Sequence, residues 1–360
     1  MNVETAMRYA RHMRLPGFGS EAQARLLNAH VAVVGAGGLG CPVLHYLTAA
    51  GVGTITIVDD DTVDETNLQR QVLFAEADVG QSKAQVAAAR LRLLNAHVKI
   101  VAVAERLTAA NALTQLAPVD VIVDCTDNFP SRYLLCDASV LLNKPLVFGS
   151  VFRFEGQVSV FNYRGSPCYR DLHPQPPAPG SVPDCAEGGV LGSLCGVIGS
   201  YMANETLKLI TGLGQPLAGS VLWVDSLQSE NYTFHIPARG AAKSITQLID
   251  YDHFCSVLPE VAIRELSVDE WQHWQSHLLP FVLVDVREPH EYATANLGGI
   301  SLPLSALAQR MAEIPRDTNV VVHCQSGTRS RQAIMLLQTH HHYSNLYNLT
   351  GGLNACLGRA

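Results

Sequence analysis

The sequence predicts an α/β protein: a Rossmann-like, doubly wound and mostly parallel sheet with an antiparallel extension, followed by a second, smaller α/β unit. Three observations predict it. Apolar runs of four to seven residues alternate with helix-length stretches from Val31 to Gly149, a Gly-rich turn separates the first run from its helix, and a new series of strands and helices starts near Ala262. At 360 residues the chain exceeds what one core usually fills, and 48% hydrophobic against 16% charged residues exclude a disordered chain.

The run VAVV (Val31 to Val34) leads into the Gly-rich turn, and a helix over Cys41 to Ala50 and the run TITIV (Thr54 to Val58) complete the first unit. A helix from about Ser82 to Leu94, a strand over Val98 to Val103, a helix near Asn111, a strand over Val119 to Cys125, a helix near Ser131 and a strand over Pro145 to Gly149 repeat the pattern. Between Gly165 and Gly189 lies a loop rich in Pro and Gly that is too long for a plain connector, which marks it as functional. A helix over about Gly196 to Ile210 and two antiparallel-looking runs, SVLWVDS and NYTFHI, close a domain spanning 1–240. Residues 241–261 carry little regular pattern and read as a linker. In the unit 262–360, Phe281 to Glu288 and Asn319 to Cys324 are strand-like and Ser330 to Gln338 is helical.

Charge and composition exclude several roles. A net charge of -7, with both halves mildly acidic, offers no basic block for nucleic acid or an anionic membrane surface. Met1 to Leu15 has no apolar core of a secretory signal, and the least charged long stretch, the 16 residues Gly188 to Ala203, is too short to span a bilayer. The expected location is the cytoplasm. Nine cysteines at irregular spacing do not form a disulfide framework.

The chemistry starts at Gly35-Ala36-Gly37-Gly38-Leu39-Gly40, where a strand passes into a helix and backbone amides can approach phosphates. Asp59, at the end of TITIVD, suits a ribose hydroxyl, as in an NAD-dependent oxidoreductase. The residues after the second strand favour a triphosphate instead. Asp61 runs into Asn67-Leu68-Gln69-Arg70-Gln71, and Lys83 opens the next helix, so Arg70 and Lys83 can neutralise phosphate charge as pyrophosphate leaves. Asp127 and Asn128 sit at the carboxyl edge of the fourth strand, where Asp127 is a candidate Mg²⁺ ligand or a helix N-cap.

GAGGLG, VDDDTVDETNLQRQ, GQSKA, DCTDN, PCYRDL, CAEGGVLG and the opening RYARHMRL together resemble the HesA/MoeB/ThiF family of ubiquitin-activating-type adenylyltransferases, over about residues 5–255. The resemblance implies that ATP with Mg²⁺ binds at Gly35, Gly37, Gly38, Gly40, Asp59, Asp61, Asn67, Arg70, Lys83, Asp127 and Asn128. It implies a homodimer in which Arg11 reaches the neighbouring subunit's ATP site. The substrate it implies is the C-terminal Gly-Gly carboxylate of a ubiquitin-like sulfur-carrier protein, converted to an acyl-adenylate. Cys185, in the long loop, stands where the family places a cysteine that links to the carrier or resolves such a link. Many relatives hold zinc in two Cys-x-x-Cys pairs; here Cys168 is followed by Asp171 and Cys255 by Leu258, so no structural zinc is expected. Cys41, Cys125, Cys136 and Cys195 read as core.

In the C-terminal unit, VVVHCQSGTRSRQA is a strand, a tight loop and a helix start, which aims amides at Cys324 and favours its thiolate. Cysteine phosphatases use Cys-x5-Arg, whereas Arg329 comes one residue earlier, so the loop Cys324, Gln325, Ser326, Gly327, Thr328, Arg329 fits sulfur better than phosphate. With DVREPHEY and GGLNA, residues 262–360 resemble a rhodanese domain. Two family habits are missing: Leu297-Gly298-Gly299 replaces an expected His after Asn296, and Cys356 stands where Trp is common. The fusion implies adenylation followed by thiocarboxylation, with Cys324 loaded as a persulfide by a cysteine desulfurase or from thiosulfate. Molybdopterin synthesis is the expected pathway; thiamine thiazole, tRNA thiolation and thio-siderophore carriers are alternatives. An NAD-dependent oxidoreductase and a non-catalytic docking subunit are the readings from other classes; Arg70, Lys83 and the lack of a catalytic His beside the cofactor crevice argue against the first, and the joint presence of Arg11, Arg70, Lys83 and Asp127 argues against the second.

Overall fold

The computed structural model describes residues 3–177, 189–256, 263–341 and 343–358. They form two compact units, the first ending at Ser256.

In the first unit, β-branched runs form β1 (His30–Val34), β2 (Thr54–Val58), β3 (Lys99–Val103), β4 (Val121–Asp124) and β5 (Leu146–Phe152). These strands pair parallel, in the order β3-β2-β1-β4-β5, through crossover helices at Gly40–Ala50, Lys83–Leu94, Ala112–Leu116 and Phe129–Leu141. The sheet then turns antiparallel through β6 (Glu155–Phe161), β7 (Ser220–Asp225) and β8 (Glu230–His235). The expected architecture is therefore present. β6 does not stand out in the sequence, because only two residues separate it from β5 in the Phe152↔Glu155 register. One core cluster packs the Gly40–Ala50, Lys83–Leu94 and Gly192–Thr211 helices on one face of the sheet, and a second packs the Phe129–Leu141 helix on the other. Such two-faced burial explains why the parallel strands read as continuous apolar runs.

The segment expected to be a linker is folded as far as Ser256. A short helix at Tyr251–Ser256 and the side chains of Ala241, Ile245, Leu248 and Phe254 pack on the second cluster. Tyr251 donates its hydroxyl to Asp137, 2.7 Å away, and Asp137 also takes a two-pronged pair from Arg170. These ties come from residues about a hundred positions upstream, which local pattern does not show.

In the second unit, β9 (Arg264–Leu266), β10 (Phe281–Asp285), β11 (Ile300–Ser301), β12 (Asn319–His323) and β13 (Leu346–Leu349) form an all-parallel sheet ordered β11-β10-β12-β13-β9. The two departures from family habit are absorbed by packing: Leu297 and Cys356 lie against the small cluster of Leu266, Trp271 and Leu283. No helix among the described residues is long and apolar enough to cross a membrane.

Candidate active site

A cavity of about 360 Å³ opens at the carboxyl ends of β1, β2 and β4, the crevice where ligands bind in open α/β sheets. Its floor is the glycine loop. Gly35 has φ of +94°, and a Cβ there would lie 2.7 Å from the Cys125 carbonyl oxygen; a Cβ on Gly40 would lie 2.0 Å from the Gly35 carbonyl oxygen. Side chains at either position would force the loop open, so its backbone stays bare toward the cavity. Gly37 and Gly38 line that cavity directly.

Asp59 leaves the end of β2 with one carboxylate oxygen accepting from the Ala36 amide at 2.7 Å and the other from the Asp61 amide at 2.9 Å. Burial pushes its carboxyl above the ordinary range, against the pull of those amides. Lys83, 5% exposed, donates to Asp61 at 2.9 Å, so Asp61 is its counter-ion. Arg70 borders the cavity with one guanidinium nitrogen on the Thr66 carbonyl at 3.1 Å. Asp127 is exposed at the cavity and makes no hydrogen bond or ion pair among the described residues. The N-cap role left open for it is filled by Asn128, whose side-chain oxygen accepts from the Ser131 amide at 3.0 Å. Bare amides, two cations and a free carboxylate fit ATP with a hard divalent cation.

Gly40 packs against the loop's own backbone and does not line the cavity, and two further expected residues lie elsewhere. Asn67 does not line the cavity; its side-chain amide donates to Thr66 at 3.4 Å. Arg11, exposed on the short Ala10–Met13 helix, does not line it either, and has no ion-pair partner among the described residues. Cys185 lies outside the described residues, as does Leu258. Cys41, Cys125, Cys136 and Cys195 are buried as expected, although Cys125 and Cys195 also border the cavity. Burial pushes the Cys41 thiol up to about 12.

The structure adds Gln71 and Arg132 to the cavity wall. Gln71 is 4% exposed and its side-chain oxygen has no partner among the described residues. Arg132 stands four residues after the N-cap Asn128, in the first turn of its helix. That spacing returns a side chain to the same face and was the available signal for it.

At Cys168 the carboxylate of Asp171 is spent on backbone: it accepts from the amides of Cys168 and Arg239 at 2.8 Å each and of Ala241 at 3.2 Å. Burial opposes ionisation there, yet these amides hold the carboxyl below its usual range. Among the described residues no three His, Cys, Asp or Glu side chains group as a metal requires.

In the second unit Cys324 follows β12, and the Thr328–His341 helix begins four residues later. Burial would raise its thiol, but hydrogen bonds from Ser330 and from the amides of Ser326 and Gly327 outweigh it and draw it below the ordinary value. The Gly327 amide lies 3.2 Å from the sulfur. Gln325 is fixed by Arg287 at 3.1 Å and Asn354 at 2.5 Å, while Leu353 and Asn354 of GGLNA donate amides to the carbonyls of Cys324 and Gln325. Ser326 and Thr328 are exposed, with hydroxyls 3.3 Å apart. Arg329 pairs by both terminal nitrogens with Glu291, at 2.6 and 2.7 Å.

The ThiF family model matches residues 9–244 and the rhodanese-like domain model residues 267–358. The chain is 43% identical to a probable adenylyltransferase/sulfurtransferase MoeZ of Mycobacterium tuberculosis, over 99% of this chain and 93% of that protein. It is 50% identical to a sulfur carrier protein adenylyltransferase of Thermus thermophilus, over 69% of this chain and 96% of that protein. Against the adenylyltransferase and sulfurtransferase MOCS3 of Sus scrofa it is 38% identical, over 99% and 86%. In fold, a crystal structure of E. coli MccB superposes with a TM-score of 0.58 at 23% identity, over 65% of this chain and 73% of that one.

Proposed function

Because the chain belongs to the ThiF family and carries a rhodanese-like domain behind it, we propose that its adenylyltransferase and sulfurtransferase chemistry converts the Gly-Gly end of a ubiquitin-like sulfur carrier to a thiocarboxylate. The observation that carries the reading is one chain holding both a cationic, glycine-floored cavity and a loop that favours the Cys324 thiolate. A carrier carboxylate oxygen attacks the α-phosphorus of ATP and pyrophosphate leaves. The glycine-loop amides, Arg70 and Lys83 stabilise the charge moving onto phosphate. Asp127 would hold Mg²⁺, which supplies further charge neutralisation on the phosphates. Gly35, Gly37, Gly38, Asp59 and Asn128 position the nucleotide, and Arg11 serves the neighbouring subunit of a homodimer, in keeping with its absence from its own chain's cavity.

The terminal sulfur of a Cys324 persulfide then attacks the acyl carbon and AMP leaves, giving an acyl persulfide. Attack by the Cys185 thiolate on the Cys324 sulfur releases the thiocarboxylate and leaves a Cys185–Cys324 disulfide, which an external dithiol reduces. A cysteine desulfurase or thiosulfate reloads Cys324. Molybdenum cofactor synthesis in the cytoplasm is the pathway proposed, and the chain is read as free of structural zinc.

Intact mass of the carrier after reaction with ATP and a sulfur donor tests this, since replacing oxygen by sulfur adds about 16 Da to an end that otherwise hydrolyses back to carboxylate. Cys324→Ala should stop thiocarboxylate formation and leave carrier-dependent pyrophosphate exchange nearly intact. Asp127→Ala should lose exchange and keep thiosulfate transfer. Full thiocarboxylate from Cys324→Ala with the same donor would remove the second unit as the sulfur source.

A further inference from the structure

We propose that Arg132 receives the terminal carboxylate of the protein substrate and holds it toward the α-phosphate. The inference rests on the adenylating reading above and assigns a residue to the acyl side of that site.

Arg132 is 9% exposed, yet among the described residues it has no carboxylate within ion-pair distance. Neighbouring buried cations are compensated: Lys83 by Asp61 and Arg170 by Asp137. One terminal nitrogen of Arg132 donates to the Ser150 hydroxyl at 3.2 Å and to the Thr126 carbonyl at 3.4 Å, while its Nε has no acceptor among the described residues. The guanidinium lies 5.5 Å from the Phe129 ring centroid and 5.6 Å from that of Phe148. Buried Asp124 feels the Arg132 charge, but burial outweighs that pull and holds its carboxyl above the ordinary range, and its hydrogen bonds come from the Thr126 amide and hydroxyl, not from Arg132. A buried guanidinium short of acceptors is costly, and an anionic ligand removes the cost.

Position decides which anion. Along the sheet the neighbours run β2, β1, β4, β5. Asp59 follows β2, the glycine loop follows β1, Asp127 follows β4, and Ser150, the partner of Arg132, lies in β5. A nucleotide with its ribose at Asp59 and its phosphates over the glycine loop has Arg70 and Lys83 beside it. Arg132 is one strand further on, past the phosphates, where the attacking group must enter. A planar guanidinium matches a carboxylate in a two-pronged geometry, and the two rings keep water from that oxygen pair.

The test uses the full-length protein, a Gly-Gly-ended carrier, and the same carrier ending in a carboxamide. With a non-hydrolysable ATP analogue present, the parent protein should bind the carboxylate form about tenfold more tightly or better, the scale of one charge-assisted pair. Arg132→Gln should collapse that preference to under about threefold and raise the carrier KM in pyrophosphate exchange, with nucleotide affinity held within about twofold as the control for folding. Arg132→Lys, which keeps the charge and loses the fork, should restore part of the preference. If Arg132→Gln weakens ATP and keeps the preference, or if the parent does not distinguish the two ends, the assignment is overturned. Absence of carrier-dependent exchange in the parent would instead fail the adenylating reading itself.

Discussion

The Ser330 hydroxyl carries one proton and faces three acceptors, which makes Ser330→Ala an informative substitution. Its oxygen lies 3.6 Å from the Cys324 sulfur, 3.1 Å from the Gly327 carbonyl and 2.6 Å from the Asn348 side-chain oxygen. Asn348 cannot turn to offer a donor instead, because its amide nitrogen donates to Glu265 at 2.8 Å. With the thiol protonated, the hydroxyl proton therefore belongs to Asn348. On ionisation the thiolate competes for it: a hydrogen bond to an ion is worth about 1.5–3 kcal/mol against about 0.5–1.5 for the neutral bond given up. The difference, about 1–1.5 kcal/mol, is about one pH unit. Ser330→Ala should raise the Cys324 titration by about that much and slow its alkylation by iodoacetamide about tenfold at any pH below it. The assay is the pH profile of alkylation at the Cys324 peptide, read by mass spectrometry. A profile superimposed on the parent's would refute the reasoning, since it would leave the thiolate to the Gly327, Ser326 and Ser330 amides alone. The variant also strips Asn348 of a donor at a buried site, a cost of about 1–3 kcal/mol in unfolding free energy that urea titration should register.

Gly40→Ala would bring a Cβ to 2.0 Å from the Gly35 carbonyl oxygen; nucleotide affinity should fall at least about tenfold by fluorescence titration while thiosulfate transfer by the second unit persists, and unchanged affinity would contradict the account of the loop floor. Asp171→Asn puts a donor against amides that now find acceptors and should cost about 2–4 kcal/mol in urea unfolding, with cleavage by protease near Arg239 as a second readout; a loss under about 0.5 kcal/mol would show that the carboxylate does not clamp this segment. Protein purified without added metal should carry well under one zinc per chain by elemental analysis. Stoichiometric zinc released only on unfolding would reverse that reading.

Much of the first unit was legible because each parallel strand is buried on both faces and flanked by a turn, so pattern and fold coincide at β1 to β5. Asp59 and Asp127 were legible for a related reason: the end of a parallel strand faces the crevice whatever the rest of the fold does. Illegible were features that depend on partners. Residues 241–256 look like a linker until Asp171 and Asp137 are seen holding Ala241 and Tyr251. Gln71 ends a motif already singled out and Arg132 follows another by four residues, but their interest lies in buried atoms, the Gln71 side-chain oxygen and the Arg132 Nε, that find no partner among the described residues, which only the three-dimensional arrangement reveals.

The Cys324 loop shows how a spacing rule acquires a physical cause. A phosphate dianion needs a guanidinium turned into the loop, and the residue six past the cysteine supplies it in phosphatases; here that position is Ser330, whose hydroxyl reaches the sulfur. Arg329, one residue earlier, is held by both terminal nitrogens and neutralised by Glu291, whose carboxyl it draws down to about 2. The sulfur is thus surrounded by amide and hydroxyl donors with no free cation from the loop, enough to stabilise one thiolate or persulfide charge and too little to hold a dianion. That balance favours transfer of a single sulfur atom between nucleophiles over hydrolysis of a phosphate ester, and it is why a loop shorter by one residue separates the two chemistries.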